Sequence, residues 1–437
     1  MWLYYTRLAW LSLKRHPLLS LLMSGAIALG IGAAMTTITI NYLMSADPIP
    51  EKSDRLFYVQ LDNWSPNEPY DEPNEPPDQL TYTDATALKA QAPAQLQTAL
   101  AQSGGVIEPQ GLGKEPFLAR LRLTHNDFFT MFNAPFLYGQ GWSDSADETG
   151  DRSIVLSKSA NEEIFAGENS VGRTVRLEGK EFRVVGVLDE WVLKPRFYDV
   201  TTGAFNEMED AYLPFKLKET MELPNSGNTN CWKMPEGEGF KSFLTSECVN
   251  FQFWVQLDSA QEKQEYMSFL NAYVEEQKKL GRFPRPLNNR LTDVMGWMEH
   301  ENVVDDDAEV MMYLSLMFLA VCLLNTIGLL LTKFSFKTGE IALRRAVGAT
   351  RMQLYQQQLV ETVFIGVAGG IGGLILAALG LLGIEYLYGD QVKDLASLNL
   401  PLLGIGILLA IISSVLAGAY PTWRTCRIPP ASQLKSE

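Results

Sequence analysis

Residues 18–44 read LLSLLMSGAIALGIGAAMTTITINYLM, twenty-seven positions without a charge. A helix that crosses a bilayer needs ~20 apolar residues, so this run is long enough to span. Working outward, three more such runs appear, at 311–332, 362–384 and 400–420. The first run has an alternative reading as a secretory signal, with Lys14-Arg15-His16 as its basic start and Met44-Ser45-Ala46 as a small-residue cleavage site. A signal core is only ~7–15 residues long, so an uncleaved anchor is expected. The fold class that follows is a membrane protein with four transmembrane helices, one plus three. A large α+β extracytoplasmic domain is inserted between the first and the second.

The boundaries expected are a cytoplasmic N-terminus at 1–17, helix 18–46, an extracytoplasmic body at 47–308 and helix 309–333. A cytoplasmic loop at 334–361, helix 362–384, a short outer loop at 385–399, helix 400–421 and a cytoplasmic tail at 422–437 complete the chain. The mean hydropathy of −0.03 hides this division. So does the net charge of −15. Residues 47–308 hold 24 Lys and Arg against 44 Asp and Glu, whereas the remainder holds 12 against 7. With 46% hydrophobic residues the chain has ample material for a core, which excludes disorder as its main state. A basic face for nucleic acid is missing, and no nucleic-acid partner is expected.

Orientation follows from Lys and Arg beside the runs. Arg7, Lys14 and Arg15 precede the first. Lys333, Lys337, Arg344, Arg345 and Arg351 lie between the second and third, and Arg424, Arg427 and Lys435 follow the fourth. The outer loop has Glu385, Asp390 and Asp394 against Lys393. Both termini and the 334–361 loop are therefore expected in the cytoplasm. The body then lies in an oxidising compartment, where Cys231 and Cys248 are expected to form a disulfide, leaving Cys322 and Cys426 unpaired. The third run carries Gly366, Gly369, Gly370 and Gly373 at small-xxx-small spacing, which lets helices approach closely. Asn325 reads as a hydrogen-bonder between helices. With no charge in mid-span, the pattern suits neither an ion channel nor a proton-coupled carrier.

In the body, residues 48–80 read as loop from their Pro, Asn and acidic content. A helix is predicted over 81–101 with Thr81 or Thr83 as its cap, and another over 259–280. Strands are predicted at 117–124 and 153–156, a short helix at 127–132, a helix at 159–165, and a hairpin over 173–187 turning at Gly179-Lys180. Residues 190–250 give no pattern. Asp305-Asp306-Asp307 is read as acid at the start of a helix. The glycine-bounded stretch Gly167–Thr174 has Arg173 where a phosphate loop needs Lys, and helix precedes strand there, so it reads as a turn. His300-Glu301 opens like a metalloprotease motif but Val304 stands where the second His belongs. The three histidines are scattered and no CxxC pair occurs, so neither a metal set nor a catalytic residue is named.

The stretch 339–350, GEIALRRAVGAT, places Ile341, Arg344, Arg345 and Gly348 at helical spacing. An amphipathic helix here would bury Ile341 and Leu343 and present cations, either to membrane lipid or to a cytoplasmic partner. With QLYQQQLVETVFIGVAGGIGGLILA after it (353–377), this stretch resembles the permease core of MacB, FtsX and LolC/LolE proteins. The ending PTWRTCRIPPASQL (421–434) resembles the same family's closing pattern, and SIVLSKSANEEIFAGENSVGRTVRLEGKEFRVVGVL (153–188) resembles its periplasmic core domain.

The resemblance implies the permease subunit of a MacB-like mechanotransmitting ABC transporter in the bacterial inner membrane. A separate cytoplasmic ABC ATPase would bind ATP and Mg, so the chain itself would be non-catalytic and cofactor-free. It also implies a second permease as homodimer or heterodimer partner, and, in MacB-like exporters, a periplasmic adaptor and an outer-membrane channel. Glu340, Arg344, Arg345, Gly348 and Arg351 would form the ATPase-coupling helix. Two alternatives stay open: an FtsX-like regulator of an extracytoplasmic enzyme, and LolC/LolE-like lipoprotein extraction.

Overall fold

A computed structural model describes residues 2–109, 115–304, 306–388 and 400–426. Most of the 385–399 loop, Asp305 and the closing pattern beyond Cys426 lie outside them. The chain divides into two compact units, one of residues 1–45 with 304–437 and one of residues 46–303.

The N-terminal stretch is itself a helix, α1 (Trp2–Arg15). It stops at His16, which leaves helical geometry at φ −130°, and Pro17 opens α2 (Pro17–Met44). Proline is tolerated at a first helical position because its missing N–H has no partner there anyway. Tyr5 and Ala9 of α1 are buried with Val360.

The body begins with β1 (Leu56–Gln60), all five residues buried. Phe57 and Val59 join one core cluster, while Leu56 and Tyr58 join another. A strand covered on both faces shows no alternation, which is why 48–80 reads as loop throughout. Helix α3 (Tyr82–Gln91) is capped by Thr81, whose hydroxyl accepts the Asp84 N–H at 3.0 Å. The predicted helix over 81–101 ends ten residues early. Ala92 precedes Pro93 and is extended at ψ 145°, as the residue before a proline prefers. The remainder is strand β2 (Leu96–Glu108).

Strands β3 (Phe117–Thr124), β4 (Phe136–Gly139), β5 (Ser153–Leu156), β6 (Thr174–Leu177), β7 (Lys180–Leu188) and β8 (Ala211–Pro214) follow. The β6–β7 hairpin turns through Glu178 and Gly179, both at positive φ. Gly167 and Gly172 also have positive φ, in the turn between a helix (Lys158–Phe165) and β6. Strand β9 (Gln252–Gln256) leads to helix α4 (Ala260–Lys279), strand β10 (Arg290–Asp293) and helix α5 (Val294–His300).

The ten strands form one sheet in the order β10-β1-β9-β2-β3-β8-β5-β7-β4, and β6 pairs with both β7 and β2. The first half of β2 pairs with β9 (Leu100 with Gln252) and its second half with β3 (Ala101 with Leu123). Through the β6–β2 pairing, β2-β3-β8-β5-β7-β6 close into a six-stranded ring. The long strand thus belongs to an open sheet at one end and a closed one at the other. Strands β1 and β10, from opposite ends of the body's chain, are antiparallel neighbours (Phe57 with Asp293, Gln60 with Arg290).

Residues 190–250, patternless in sequence, are held by charge and by a crosslink. Arg122, Arg196, Asp199 and Glu209 are all fully buried. Arg122 lies 2.6 Å from Asp199 and donates its Nε–H to Glu209 at 3.0 Å; Glu209 also accepts from Arg196 at 3.1 Å and from the Tyr198 hydroxyl at 2.8 Å. Cys231 and Cys248 are disulfide-bonded and face each other across a two-stranded ladder, Asn230–Cys231 with Cys248–Val249.

The chain then enters α6 (Asp306–Ser335), α7 (Thr338–Ala346), α8 (Arg351–Tyr388) and α9 (Leu400–Cys426). Among the described residues four helices, α2, α6, α8 and α9, are long and apolar enough to cross a membrane. The glycines of α8 serve two neighbours. A Cβ at Gly369 or Gly373 would lie 2.7 Å from the Cβ of Ile27 or Ile31 on α2. A Cβ at Gly370 would lie 2.5 Å from that of Ala410 on α9, and one at Gly366 would collide with Ser414.

Candidate functional site

The stretch read as a loop over 334–361 is mostly helical. Helix α7 ends in a turn at Gly348, which has φ +106° with nothing within 4 Å of where its Cβ would stand. The turn itself, not a close approach, therefore requires glycine there. The next helix starts with a reciprocal cap. The Thr350 N–H donates to Gln353 Oε1 at 2.9 Å, and the Gln353 N–H donates to Thr350 Oγ1 at 3.3 Å. Helix α8 consequently begins at Arg351, eleven residues before the apolar run, and Glu361 lies within it.

One side of α7 is anchored. Ile341 and Ala342 are buried, with Ile341 against Leu354. Arg344 is committed to its own surroundings, donating to Glu340 at 2.6 Å and to Gln357 at 2.7 Å. This i,i+4 pair and its bridge to α8 brace the helix. Arg345 is half-buried, and Glu340 and Arg351 are exposed. The sequence expectation that Leu343 is buried with Ile341 does not hold: Leu343 is 59% exposed and Val347, one turn on, is 81% exposed. On this nine-residue helix Ile341 and Leu343 cannot both be buried on one face, since i and i+2 point apart. An apolar pair is left facing outward beside Arg345.

Behind α7 lies a buried polar node the sequence did not pair. Glu361 is 3% exposed and Lys333 fully buried. Glu361 Oε1 stands 2.8 Å from Lys333 Nζ, and Oε2 stands 2.7 Å from Lys337 Nζ. The Ser12 hydroxyl of α1 donates to Glu361 Oε1 at 2.5 Å, and Lys333 donates to Ser20 of α2 at 3.2 Å. One carboxylate thus ties α1, α6, α8 and the start of α7 together. Its partners are 24 to 349 positions away in sequence, so no spacing rule reveals them. A cavity of about 200 Å³ opens between these elements, lined by Ser12, Arg15, Lys337, Glu340, Arg344 and Gln358.

Glu361→Gln is expected to keep the shape but leave two lysines sharing no counter-charge, a loss of about 1–3 kcal/mol. Amide hydrogen exchange should then quicken in 2–15 and 338–346 while 17–44 stays protected. Unchanged exchange in both segments would remove the node from the account of how α7 is held.

Comparison with known proteins gives two family matches. A model described as MacB-like periplasmic core domain matches residues 20–270. One described as FtsX-like permease C-terminal matches residues 312–430. The chain is 24% identical to a pyoverdine export ATP-binding/permease protein, PvdT, of Pseudomonas syringae pv. syringae, over 71% of this chain and 42% of that protein. It thus spans less than half the length of that relative. It is 20% identical to an uncharacterized ABC transporter permease, YknZ, of Bacillus subtilis, over 99% of this chain and 98% of the other. Among solved structures, the periplasmic region of MacB from Actinobacillus actinomycetemcomitans aligns over 59% of this chain and 98% of its own, at 18% identity and a TM-score of 0.36.

Proposed function

The chain belongs to the MacB/FtsX-like family of ABC transporter permeases, and on that premise we propose that α7 is where an ATP-hydrolysing subunit docks and transmits its motion. The observation that carries this is the exposed pair formed by Leu343 on α7 and Val347 just past its end, beside a helix whose opposite side is anchored and braced. An exposed apolar pair rimmed by charge is what a partner covers. Anchoring supplies the other requirement, since force applied to a loose helix is dissipated in moving that helix alone.

In this reading the basic end of the helical unit faces the cytoplasm and the acidic body lies outside. ATP and Mg belong to the partner. Its closure on ATP moves α7, and the node at Glu361 passes the displacement to α1, α6 and α8. Two copies of the permease, or this chain with a second one, would flank the path of the motion. The cargo is exported by displacement of the bodies, in keeping with the export proteins among its relatives.

The test is co-purification of the ATPase from native membranes with tagged chain. Leu343→Glu with Val347→Glu is expected to lower recovery at least tenfold, because two buried apolar contacts of ~1–2 kcal/mol each are exchanged for desolvated charge. Thermal stability of the permease should stay within a degree or two. Arg344→Glu with Arg345→Glu should also uncouple binding, but it breaks the brace to Gln357 as well, so the apolar pair is the cleaner probe. Undiminished recovery of the ATPase with the Leu343/Val347 variant would refute docking on α7.

A further inference from the structure

His300 has only Glu301 beside it in sequence, yet folding also brings it the carboxylates of Glu75 and Asp78. Donor atoms of Asp78, His300 and Glu301 all lie within 4.8 Å of one another. His300 Nδ1 stands 3.3 Å from Glu75 Oε1, and Nε2 stands 3.8 Å from Asp78 Oδ1. Arg290 lies 3.5 Å from Glu75 and offsets part of this negative charge. We propose that Asp78, His300 and Glu301 form a binding site for a first-row divalent cation of the zinc class, with water as a fourth ligand.

Four observations support the site. The donor set mixes one imidazole with carboxylates, which suits zinc and its neighbours better than magnesium or calcium. The ligands are held from behind: the His300 ring stacks on Trp297 at 5.3 Å, Trp297 stacks on Tyr58 at 3.7 Å, and the Tyr58 hydroxyl donates to the backbone carbonyl of Asp78. Such support from surrounding groups is what orients metal ligands. The Trp297 indole, whose ring stacks on His300, carries a buried N–H with no hydrogen-bond partner, a donor that an ordered water at the site would satisfy. Finally, Asp78 also lines an open polar cavity of about 450 Å³ shared with Tyr70, Asp71 and Asn230, which gives an ion a way in.

Bonds of ~2.0–2.2 Å to a tetrahedral ion would draw the three donors inward from their present separations of up to 4.8 Å. The ion then joins two stretches more than two hundred positions apart: the segment between β1 and α3, and the end of α5, where the body's chain runs out at Val303.

The experiment uses the full chain in detergent, stripped with EDTA and titrated with Zn²⁺ by calorimetry, then with Co²⁺ by visible absorption. One Zn²⁺ per chain is expected. The Co²⁺ form should show d–d bands without the thiolate charge-transfer band that Cys322 or Cys426 would give. His300→Ala and the near-isosteric Glu301→Gln should each weaken binding at least ~10-fold, while His125→Ala should not. If His300 is instead a protonated partner of Glu75 and Asp78, no stoichiometric Zn²⁺ is taken up. That result, a thiolate spectrum, or uptake that survives both Glu301→Gln and His300→Ala would overturn the site.

Discussion

Glu209→Ala is expected to destabilise the body by about 3–5 kcal/mol, the scale for removing one partner from a buried ion pair. Arg122 and Arg196 would both lose an acceptor in a place with no water to replace it. Tyr198 and Tyr212, which donate to the same carboxylate at 2.8 and 3.3 Å, would lose theirs too. Intrinsic fluorescence of the buried Trp254 and Trp297 follows the unfolding. The same residue sets a pH dependence. Burial pushes the Glu209 carboxyl up, but the two guanidiniums outweigh it and hold the group at about 2, against 4.5 ordinarily. A carboxyl depressed on folding stabilises above its unfolded value and loses that contribution as pH falls through the folded one. Between pH 4.5 and 2 the wild type should therefore lose stability of about 3 kcal/mol from this group alone. Glu209→Gln should be weaker at neutral pH and flatter over that window. A variant with the wild-type slope would show that the acid sensitivity arises elsewhere.

Gly369→Leu with Gly373→Leu is the second large effect. Each new Cβ would sit 2.7 Å from an isoleucine Cβ of α2, with a backbone carbonyl of α2 at 3.0 Å (Ser24) or 3.2 Å (Ala28). Backbone cannot rotate away, so α2 and α8 must separate. Overpacking costs ~1–3 kcal/mol per site, and here it also undoes the van der Waals contact on which membrane helices rely. Gly383→Leu, on the same helix with nothing within 4 Å, is the matched control and should be nearly silent. Heating detergent-solubilised protein before gel filtration reads both. Equal midpoints for the two variants would mean that the close approach at 369 and 373 contributes nothing.

Long apolar runs were legible because lipid imposes a length, and β3 and β5 were read to the residue because punctuation frames them. Other features carried signals that composition masked. Pro93 marks the end of α3, Pro17 separates α1 from α2, and Thr350 with Gln353 announces the start of α8. Strand β1 has no alternation to read, being covered on both faces. At α7, the order of residues gives the period but not which side is covered, so Leu343 is expected inward and lies outward. The charge clusters were illegible for a different reason. Glu361 with Lys333, Glu209 with Arg122, and His300 with Asp78 are each assembled across elements by tertiary packing. Nothing in local spacing encodes such pairs.

The pairing of β1 with β10 also bears on how so long an insertion is tolerated. The two strands leave the body's ends side by side, Phe57 opposite Asp293. Closing a flexible loop becomes more unfavourable with its length, and α2 and α6, which meet through Thr37 and Ser315 at 2.6 Å, are separated by the whole body in sequence. Once the body has folded, that separation shrinks to the stretches between Thr37 and Phe57 and between Asp293 and Ser315. For the meeting of those helices, a domain of this size then counts as a short hairpin, and its order of assembly matters more than its length.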